Sequence, residues 1–298
     1  MTKPSEKFLR KICFIGLLSF AMNLWAQDEE LLAQYEVNIA SLADEILSAT
    51  DDISKMAANQ KLLALIPEVL SVEKVQKYPF ENIQSMSILQ SDDNKLRIFN
   101  WTLQKSNGSY EYYAYLHYYV KEEKTWRIVG LTDRSDFIEN PEQQQLPANN
   151  WFGALYVDMV SKKTKNGYIH TLIGWDGNRP TSIKKLVDVL SFDEQANPHF
   201  GAPIFHMGQE TKQRLIFEYS PTARITVSYN EDQDMIIYDQ LIPLDPTAEG
   251  MYEYYVPNLN YSGIHFQDGY WKFVPTIEIN NNKDQDTKRF KKIEQGIR

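Results

Sequence analysis

The chain has 298 residues, of which 43% are hydrophobic and 24% are charged, and this composition excludes an intrinsically disordered protein. Its net charge of -9 at pH 7 disfavours contact with phosphate backbones and anionic lipid, so we predict no nucleic-acid partner. A single cysteine excludes an internal disulfide and a zinc site built from several thiolates.

The first 26 residues have the pattern of a cleavable signal peptide. Four basic residues and one acid lie within the first eleven positions, and residues 12–26 carry no charge. A helix needs roughly 20 apolar residues to cross a bilayer, so this segment is too short for a stable membrane anchor. We therefore predict cleavage after Ala26 and export of residues 27–298 to the periplasm or the extracellular space.

Cleavage at this position would change the chemistry of the chain. Cys13 would leave with the leader, and it lacks the small residues that precede a lipid-modified cysteine. The leader has a net charge of +3, so the mature chain would have a net charge near -12 at pH 7. We predict a mature protein without thiols and without a transmembrane anchor, whose stability comes from an ordinary apolar core.

Residues 27–78 are predicted as an N-terminal helical segment, because apolar residues recur at steps of three and four. This stripe consists of Leu32, Tyr35, Ile39, Leu42, Ile46, Ala49, Ile53 and Met56. Thr50-Asp51-Asp52 can cap a second helix, and Pro67 suits the first turn of a third. We favour packing of the stripe on the protein's own sheet. A seam for a partner in an envelope assembly is the alternative.

From residue 79 to residue 136 apolar residues tend to recur at every second position, which predicts a first antiparallel β meander. Strand-like runs at Lys95–Leu103 and Tyr110–Val120 flank Asn107-Gly108, a dipeptide that favours a tight hairpin, and a third run follows at Trp126–Leu131. Residues 137–150 are polar, contain two prolines and show neither period, so they are predicted as a linker or long loop.

A second β region is predicted for residues 151–282. Its candidate strands are Trp151–Val160, Tyr168–Trp175, Ile183–Phe192, Arg214–Ser220, Arg224–Tyr229, Met235–Ile242 and a run from Trp271 to Ile279. The run Ile183–Phe192 also fits a short amphipathic helix. Residues 283–298 are polar and are predicted to be disordered.

The fold class predicted from these elements is mainly β, with antiparallel meander sheets in a sandwich-like or stacked arrangement behind an N-terminal helical segment. A propeller-like arrangement is the alternative. It is less favoured because the chain shows no clear series of blade repeats.

No catalytic, metal or cofactor signature stands out in the sequence. The five histidines are scattered, and no nucleophile elbow, phosphate-binding glycine loop or calcium loop is complete. A glycan- or ester-directed hydrolase would need paired carboxylates, and the acids to inspect are Asp133, Asp136, Asp158, Asp176 and Glu218. We assign no catalytic residue, no metal ligand and no cofactor.

Tyrosines on one predicted strand are the first candidates for ligand binding. The chain has 18 tyrosines, and Tyr113 and Tyr115 share one face of Tyr110–Val120. Aromatic rings with polar tips can bind a sugar or a peptide, and they can also cover a sheet against a packed helix. We favour the packing role and keep ligand binding as the functional hypothesis.

The segment Gly174–Pro180 is the second candidate. It is predicted to end a strand in a turn that needs Gly177 and that brings Trp175, Asp176 and Asn178 close together. A strand-end tryptophan beside an acid and an amide could hold a sugar or another polar ligand. An ordinary turn, with both polar side chains bonded to their own backbone, is the structural alternative.

Four stretches, SMSILQSDDNKLRIFNW, SYEYYAYLHYY, TLIGWDGN and RLIFEYS, resemble uncharacterised exported proteins of bacteroidete-type bacteria. The resemblance covers the β part of the chain and implies an address in a bacterial envelope. It implies no activity, because none is known for that group, and it transfers no functional residue.

These observations favour an exported β protein that binds a ligand or an envelope partner without catalysis. The aromatic content and the missing catalytic signatures are the reasons. Two alternatives stay open: a hydrolase that uses paired carboxylates, and an envelope assembly subunit that uses the N-terminal helical stripe.

Overall fold

The computed structural model describes residues 6–165 and 167–278, with side chains from Gln27 onward. The predicted polar tail at 283–298 lies outside the described residues, as do residues 1–5 of the predicted signal peptide. The other leader residues are described only as part of the first helix. No helix in the described ranges has an apolar run long enough to cross a membrane.

Two helices precede the sheets and confirm the N-terminal helical segment: α1 is Glu6–Ser48 and α2 is Asp52–Leu70. The helices separate at residues 49–51, where the Asp51 carboxylate caps α2 by accepting the Ser54 backbone N–H at 2.8 Å. An aspartate at this position satisfies one of the free N–H groups of the first turn and so fixes where α2 begins.

The apolar stripe of α1 packs on the protein's own first sheet, as the sequence analysis favoured. Leu32, Ile39 and Ile46 are buried in one cluster with Phe99 and Trp101 of that sheet. The stripe does not continue into α2. Ile53 is 83% exposed and Met56 is also exposed, because the helix break changes which positions face inward.

Pro67 lies inside α2, so the prediction of a third helix beginning there was wrong. Proline has no N–H, and it therefore leaves the carbonyl four residues earlier, that of Leu63, without its helical partner. The Tyr115 hydroxyl donates to this Leu63 oxygen at 3.0 Å. A side chain of the first sheet thus replaces the backbone hydrogen bond that Pro67 removes.

This replacement predicts an energetic coupling between Tyr115 and Pro67. We expect Tyr115→Phe to lower the free energy of unfolding by about 1 to 2 kcal/mol, because the Leu63 carbonyl would lose its donor. In a Pro67→Ala background the helix supplies an N–H to that carbonyl, so the same change is expected to cost clearly less. A double-mutant cycle in urea measures the coupling, and equal costs in both backgrounds would refute it.

Sixteen strands follow in the described residues. They are β1 Ser87–Gln90, β2 Leu96–Gln104, β3 Tyr110–Val120, β4 Thr125–Gly130, β5 Leu146–Pro147, β6 Leu155–Thr164, β7 Gly167–Arg179, β8 Ser182–Phe192, β9 Pro198–Phe200, β10 Phe205–Met207, β11 Glu210–Lys212, β12 Leu215–Tyr219, β13 Val227–Asn230, β14 Met235–Pro243, β15 Tyr255–Gln267 and β16 Tyr270–Ile277. This confirms the mainly β class. The run at 183–192, which the pattern left open between helix and strand, is strand β8.

The strands form three sheets. The first has the order β1-β2-β3-β4, and the second has the order β5-β9-β8-β7-β6 with β12 added beside β8. The third has the order β11-β10-β16-β15-β14-β13, in which β10 and β16 run parallel. Hairpins join most neighbouring strands, which is the meander arrangement that the sequence predicts.

The sheets and helices are stacked in layers. Phe99 and Trp101 of the first sheet face the helices, whereas Ile98 faces the second sheet. On β8, Leu186 packs toward the first sheet and Val187 packs toward the third, so the second sheet is covered on both faces. The order of layers is therefore helices, first sheet, second sheet and third sheet, a sandwich-like stack.

Residues 137–150, predicted as a linker or long loop, are held against the second sheet. They contain short 3₁₀ turns at Pro141–Gln143 and Ala148–Asn150, and β5 pairs with β9. Leu146 is buried in the core between the first and second sheets. This segment brings polar side chains to the surface beside β12.

Candidate ligand-binding site

Tyr113 and Tyr115 lie on the helix-facing side of the first sheet. The Tyr113 ring stacks on Trp101 with 5.7 Å between centroids, and its hydroxyl donates to the Glu111 carboxylate at 2.5 Å. Burial and the neighbouring Glu111 raise the pKa of Tyr113. Tyr115 donates to the carbonyl of Leu63. Both rings fill the space between the sheet and the helices, and the structure does not bring them to Asp176.

Asp176 of β7 is buried between the first and second sheets and is 4% exposed. Its carboxylate accepts the Tyr112 hydroxyl at 2.8 Å and the Asn178 backbone N–H at 2.7 Å. Burial raises the pKa of Asp176, and the ammonium of Lys184 at 4.0 Å opposes this shift. Burial and Asp176 together raise the pKa of Tyr112 well above its ordinary value. Asp176 therefore joins two sheets and supports the surface residues beside it.

The segment Gly174–Pro180 does not form the predicted turn. Strand β7 continues to Arg179, and Gly177 and Asn178 form a β-bulge in its pairing with β8. Asn178 has a φ of +47°, a left-handed conformation that asparagine adopts more readily than most residues. Glycine and asparagine suit both a tight turn and a β-bulge, so the sequence pattern did not distinguish between them.

Position 177 has room only for glycine, because two aromatic rings lie against its Cα. A Cβ at this position would lie 2.3 Å from Cε2 of Tyr110 and 2.8 Å from the ring of Trp175. The two rings meet edge to face, with 5.1 Å between their centroids. Trp175 is therefore packed against the first sheet beside the bulge.

Asn178 connects the bulge to polar side chains of β8 and β12. Its amide nitrogen donates to Ser182 Oγ at 2.7 Å and to Glu218 Oε1 at 3.1 Å. Its amide oxygen accepts from Lys184 Nζ at 2.9 Å, and the Ser182 hydroxyl donates to the same Glu218 oxygen at 2.5 Å. Glu218 is directly opposite Lys184 in the pairing of β12 with β8, so both side chains lie on one face.

Of these side chains, Lys184 and Glu218 form one wall of an open groove of about 460 Å³. Ile216 lies two residues before Glu218 on β12 and presents its side chain to the same face. Glu210 and Lys212 alternate in the same way on β11 and form the opposite wall. The groove thus lies where the edges of the second and third sheets meet.

Glu142, in the turn Pro141–Gln143, closes one end of the groove. Its carboxylate accepts from Lys212 Nζ at 2.7 Å and from the Ile216 backbone N–H at 3.0 Å. The Glu142 carbonyl accepts the Gln213 N–H at 2.7 Å. Glu142 therefore occupies the Ile216 N–H of β12 and the Gln213 N–H that precedes this strand.

The buried side chain of Arg214 fixes the turn Pro141–Gln143 in place. Its guanidinium donates to the carbonyls of Pro141, Gln144 and Phe200, the last two at 3.0 Å. It also donates from Nε to Asp188 Oδ2 at 3.1 Å, and both side chains are fully buried. The position of Glu142 at the groove therefore depends on a buried ion pair.

Tyr252 lies at the mouth of the groove in the 3₁₀ turn Tyr252–Tyr254. Its side chain is exposed, and its ring packs on that of Tyr255 at 5.1 Å between centroids. Tyr255 is itself fixed, because its hydroxyl accepts the Gly250 N–H at 3.1 Å and its carbonyl accepts the Ser220 N–H at 3.0 Å. One tyrosine ring is thus presented to the groove in a defined position.

The acids proposed for inspection lie in different surroundings. Glu218 lines the groove, and Asp176 contacts it through Lys184. Asp133 accepts the Ser135 hydroxyl and backbone N–H, Asp158 accepts the Met159 N–H, and Asp136 is exposed. The structure therefore brings only part of this set to one site.

Sequence reasoning identified Glu218 of the groove and its neighbour Asn178, but it missed most of the residues that line the groove. The missed charged and aromatic residues are Glu142, Lys184, Glu210, Lys212 and Tyr252. They come from four separate segments. The alternation of Glu210 and Lys212 was the one local signal, and it is too short to predict a strand.

Among the side chains that the structure describes, no three His, Cys, Asp or Glu residues converge as a metal site would require. Comparisons with protein-family models, with curated proteins and with solved structures find no match. The chemistry of the groove is therefore the basis for assigning a function.

Proposed function

We propose that this protein is an exported, non-catalytic binding protein of the cell envelope, and that it holds a polar ligand in the groove between Glu142, Lys184, Lys212 and Glu218. The observation that carries the proposal is the groove itself. It is preformed, open and lined by charged side chains whose positions are fixed by hydrogen bonds. Binding sites of this kind need little reorganisation when a ligand enters.

The bonding of the carboxylates supports a binding role. Glu142 accepts one ammonium and one backbone N–H, and Glu218 accepts a hydroxyl and an amide. Protein donors therefore hold each carboxylate in a fixed position at the groove, as a preorganised binding site requires.

The hydrolase alternative has one supporting observation, since Glu142 and Glu218 line the same groove. Paired acids at suitable separation can cleave glycosidic bonds. The binding experiment therefore also monitors hydrolysis of each probe by NMR. The assembly alternative has less support, because the α1 stripe is buried on the protein's own sheet.

The proposed export is supported by the basic and apolar character of residues 1–26. Protein expressed from the full-length gene in a bacterial host and purified from the periplasm should begin near Gln27. Mass spectrometry of the intact protein measures this. Retention of Met1 or Cys13 would contradict export by cleavage.

The binding test uses this purified protein and three classes of probe: neutral oligosaccharides, oligogalacturonides and short peptides. We expect at least one class to bind, and we expect Lys212→Met and Glu218→Gln to weaken that binding about tenfold or more, because each removes a charged hydrogen-bonding group. Ligand-observed NMR and calorimetry measure the affinities.

Lys121→Met is the matched control, since Lys121 is exposed in the turn between β3 and β4, on the first sheet. It should leave the affinity unchanged. Two outcomes would contradict the proposal: equal effects of all three substitutions, or hydrolysis of a probe that Glu218→Gln abolishes. The second outcome would establish the hydrolase alternative.

A further inference from the structure

The presence of both positive and negative side chains in the groove points to an uncharged ligand. Three carboxylates, Glu142, Glu210 and Glu218, face two ammonium groups, those of Lys184 and Lys212. Glu142 pairs with Lys212, and Lys184 lies 4.0 Å from Asp176. A charged ligand would have to compete with these pairs and would meet a like charge nearby. Hydroxyl groups can donate to the carboxylates and accept from the ammonium groups without net charge.

Tyr252 adds a flat apolar surface beside these polar groups. Tyr252 is 44% exposed, and its ring packs against Tyr255 on one side. The face of an aromatic ring carries partial negative charge, which attracts the polarised C–H groups of a sugar ring. A pyranose has a face of C–H groups and a rim of hydroxyl groups. The Tyr252 ring matches the C–H face, and the hydrogen-bond donors and acceptors beside it match the hydroxyl groups.

A peptide fits the groove less well. Peptides bind to sheets chiefly by adding a strand to a free edge. The β12 edge is already occupied in part, because the Ile216 N–H donates to Glu142 and the Ser220 N–H, just after the strand, donates to the Tyr255 carbonyl. Recognition of peptide side chains would also need apolar pockets. Among the residues that line the groove, Pro141, Ile216 and Tyr252 are apolar and the others are polar or charged, which disfavours a peptide.

We propose that the groove binds a neutral oligosaccharide, with one sugar ring stacked on Tyr252 and with hydroxyl groups bonded by Lys184, Lys212, Glu210 and Glu218. This inference rests on the proposed binding function and names its ligand class. The side chains on the two walls would contact opposite edges of the same sugar chain.

The test compares Tyr252→Ala with Tyr254→Ala. Tyr254 lies two residues away in the same turn and is exposed to the same degree, 47%, but it does not line the groove. The probes are linear hexasaccharides of glucose, xylose, mannose and galactose, with oligogalacturonides and tripeptides as the other classes. Binding to the folded mature chain is measured by calorimetry.

We expect at least one neutral hexasaccharide to bind with a Kd below about 1 mM. Tyr252→Ala should weaken it about tenfold, and Tyr254→Ala should change it less than about twofold. The inference is overturned if no neutral hexasaccharide binds, or if the two substitutions have equal effects. Binding of tripeptides or oligogalacturonides alone, sensitive to Lys212→Met, would overturn the ligand class and leave the proposed binding function in place.

Discussion

Asp188→Ala is expected to lower the free energy of unfolding by about 3 to 5 kcal/mol, because it leaves the buried guanidinium of Arg214 without a counter-charge. Both side chains are 0% exposed. The Tyr156 hydroxyl, which donates to Asp188 at 3.2 Å, would lose its acceptor as well. Urea denaturation at neutral pH measures the change.

A surface ion pair provides the control for this prediction. Glu123 is about half exposed and pairs with Arg127, so Glu123→Ala should cost less than about 1 kcal/mol. The double change Asp188→Leu with Arg214→Met removes both charges and should recover part of the stability lost by Asp188→Ala. Equal destabilisation by Asp188→Ala and Glu123→Ala would show that the buried pair has no special role.

Acidification is expected to destabilise the protein through His117 and His170. Burial is the main reason that the pKa of each falls from 6.5 to about 4, and Arg97 lowers that of His117 further, whereas Asp92 and Asp93 oppose the shift at His170. The unfolded chain takes up protons below pH 6.5, whereas the folded chain keeps both rings neutral until about pH 4. Their contribution is therefore fully present above pH 6.5 and is lost as the pH falls toward 4.

The loss at pH 5 should amount to about 2 kcal/mol for each histidine, relative to pH 8. Urea denaturation at several pH values measures it. His117→Phe is the sharpest variant, because Nδ1 of this buried ring has no hydrogen-bond partner in the described part of the chain. His117→Phe should reduce the pH dependence by about half, and His170→Gln should do the same. Wild-type pH dependence in both variants would contradict the assignment.

The sequence predicts the strands in which apolar and polar residues alternate. The run from Trp271 alternates Trp271 and Phe273 with Lys272, and it is found as strand β16. The pattern is ambiguous for β8, because both of its faces are buried and apolar residues occur at successive positions. It misses β15, which contains Pro257, Gly263 and several polar residues.

The groove could not be predicted in the same way, because its residues are joined by contacts distant in sequence. Glu142 comes from a stretch without periodicity, and its place depends on Arg214, more than seventy residues later. Tyr252 comes from a turn that no local pattern singles out. Glu218 was identified because it is an acid on the predicted strand Arg214–Ser220. Its partners Asn178 and Ser182 were set by a bulge that the sequence suggested only as a turn.

The order of layers has a consequence for biogenesis. The second sheet is covered on both sides, yet its principal strands come from the middle of the chain, after the helices and the first sheet. Until β6 to β8 are in place, the inner face of the first sheet, with Ile98, Leu116 and Tyr118, has no cover. Partly made chains that expose such surface are prone to aggregate. We therefore expect a folding intermediate of the N-terminal part to be the species that a chaperone would have to protect.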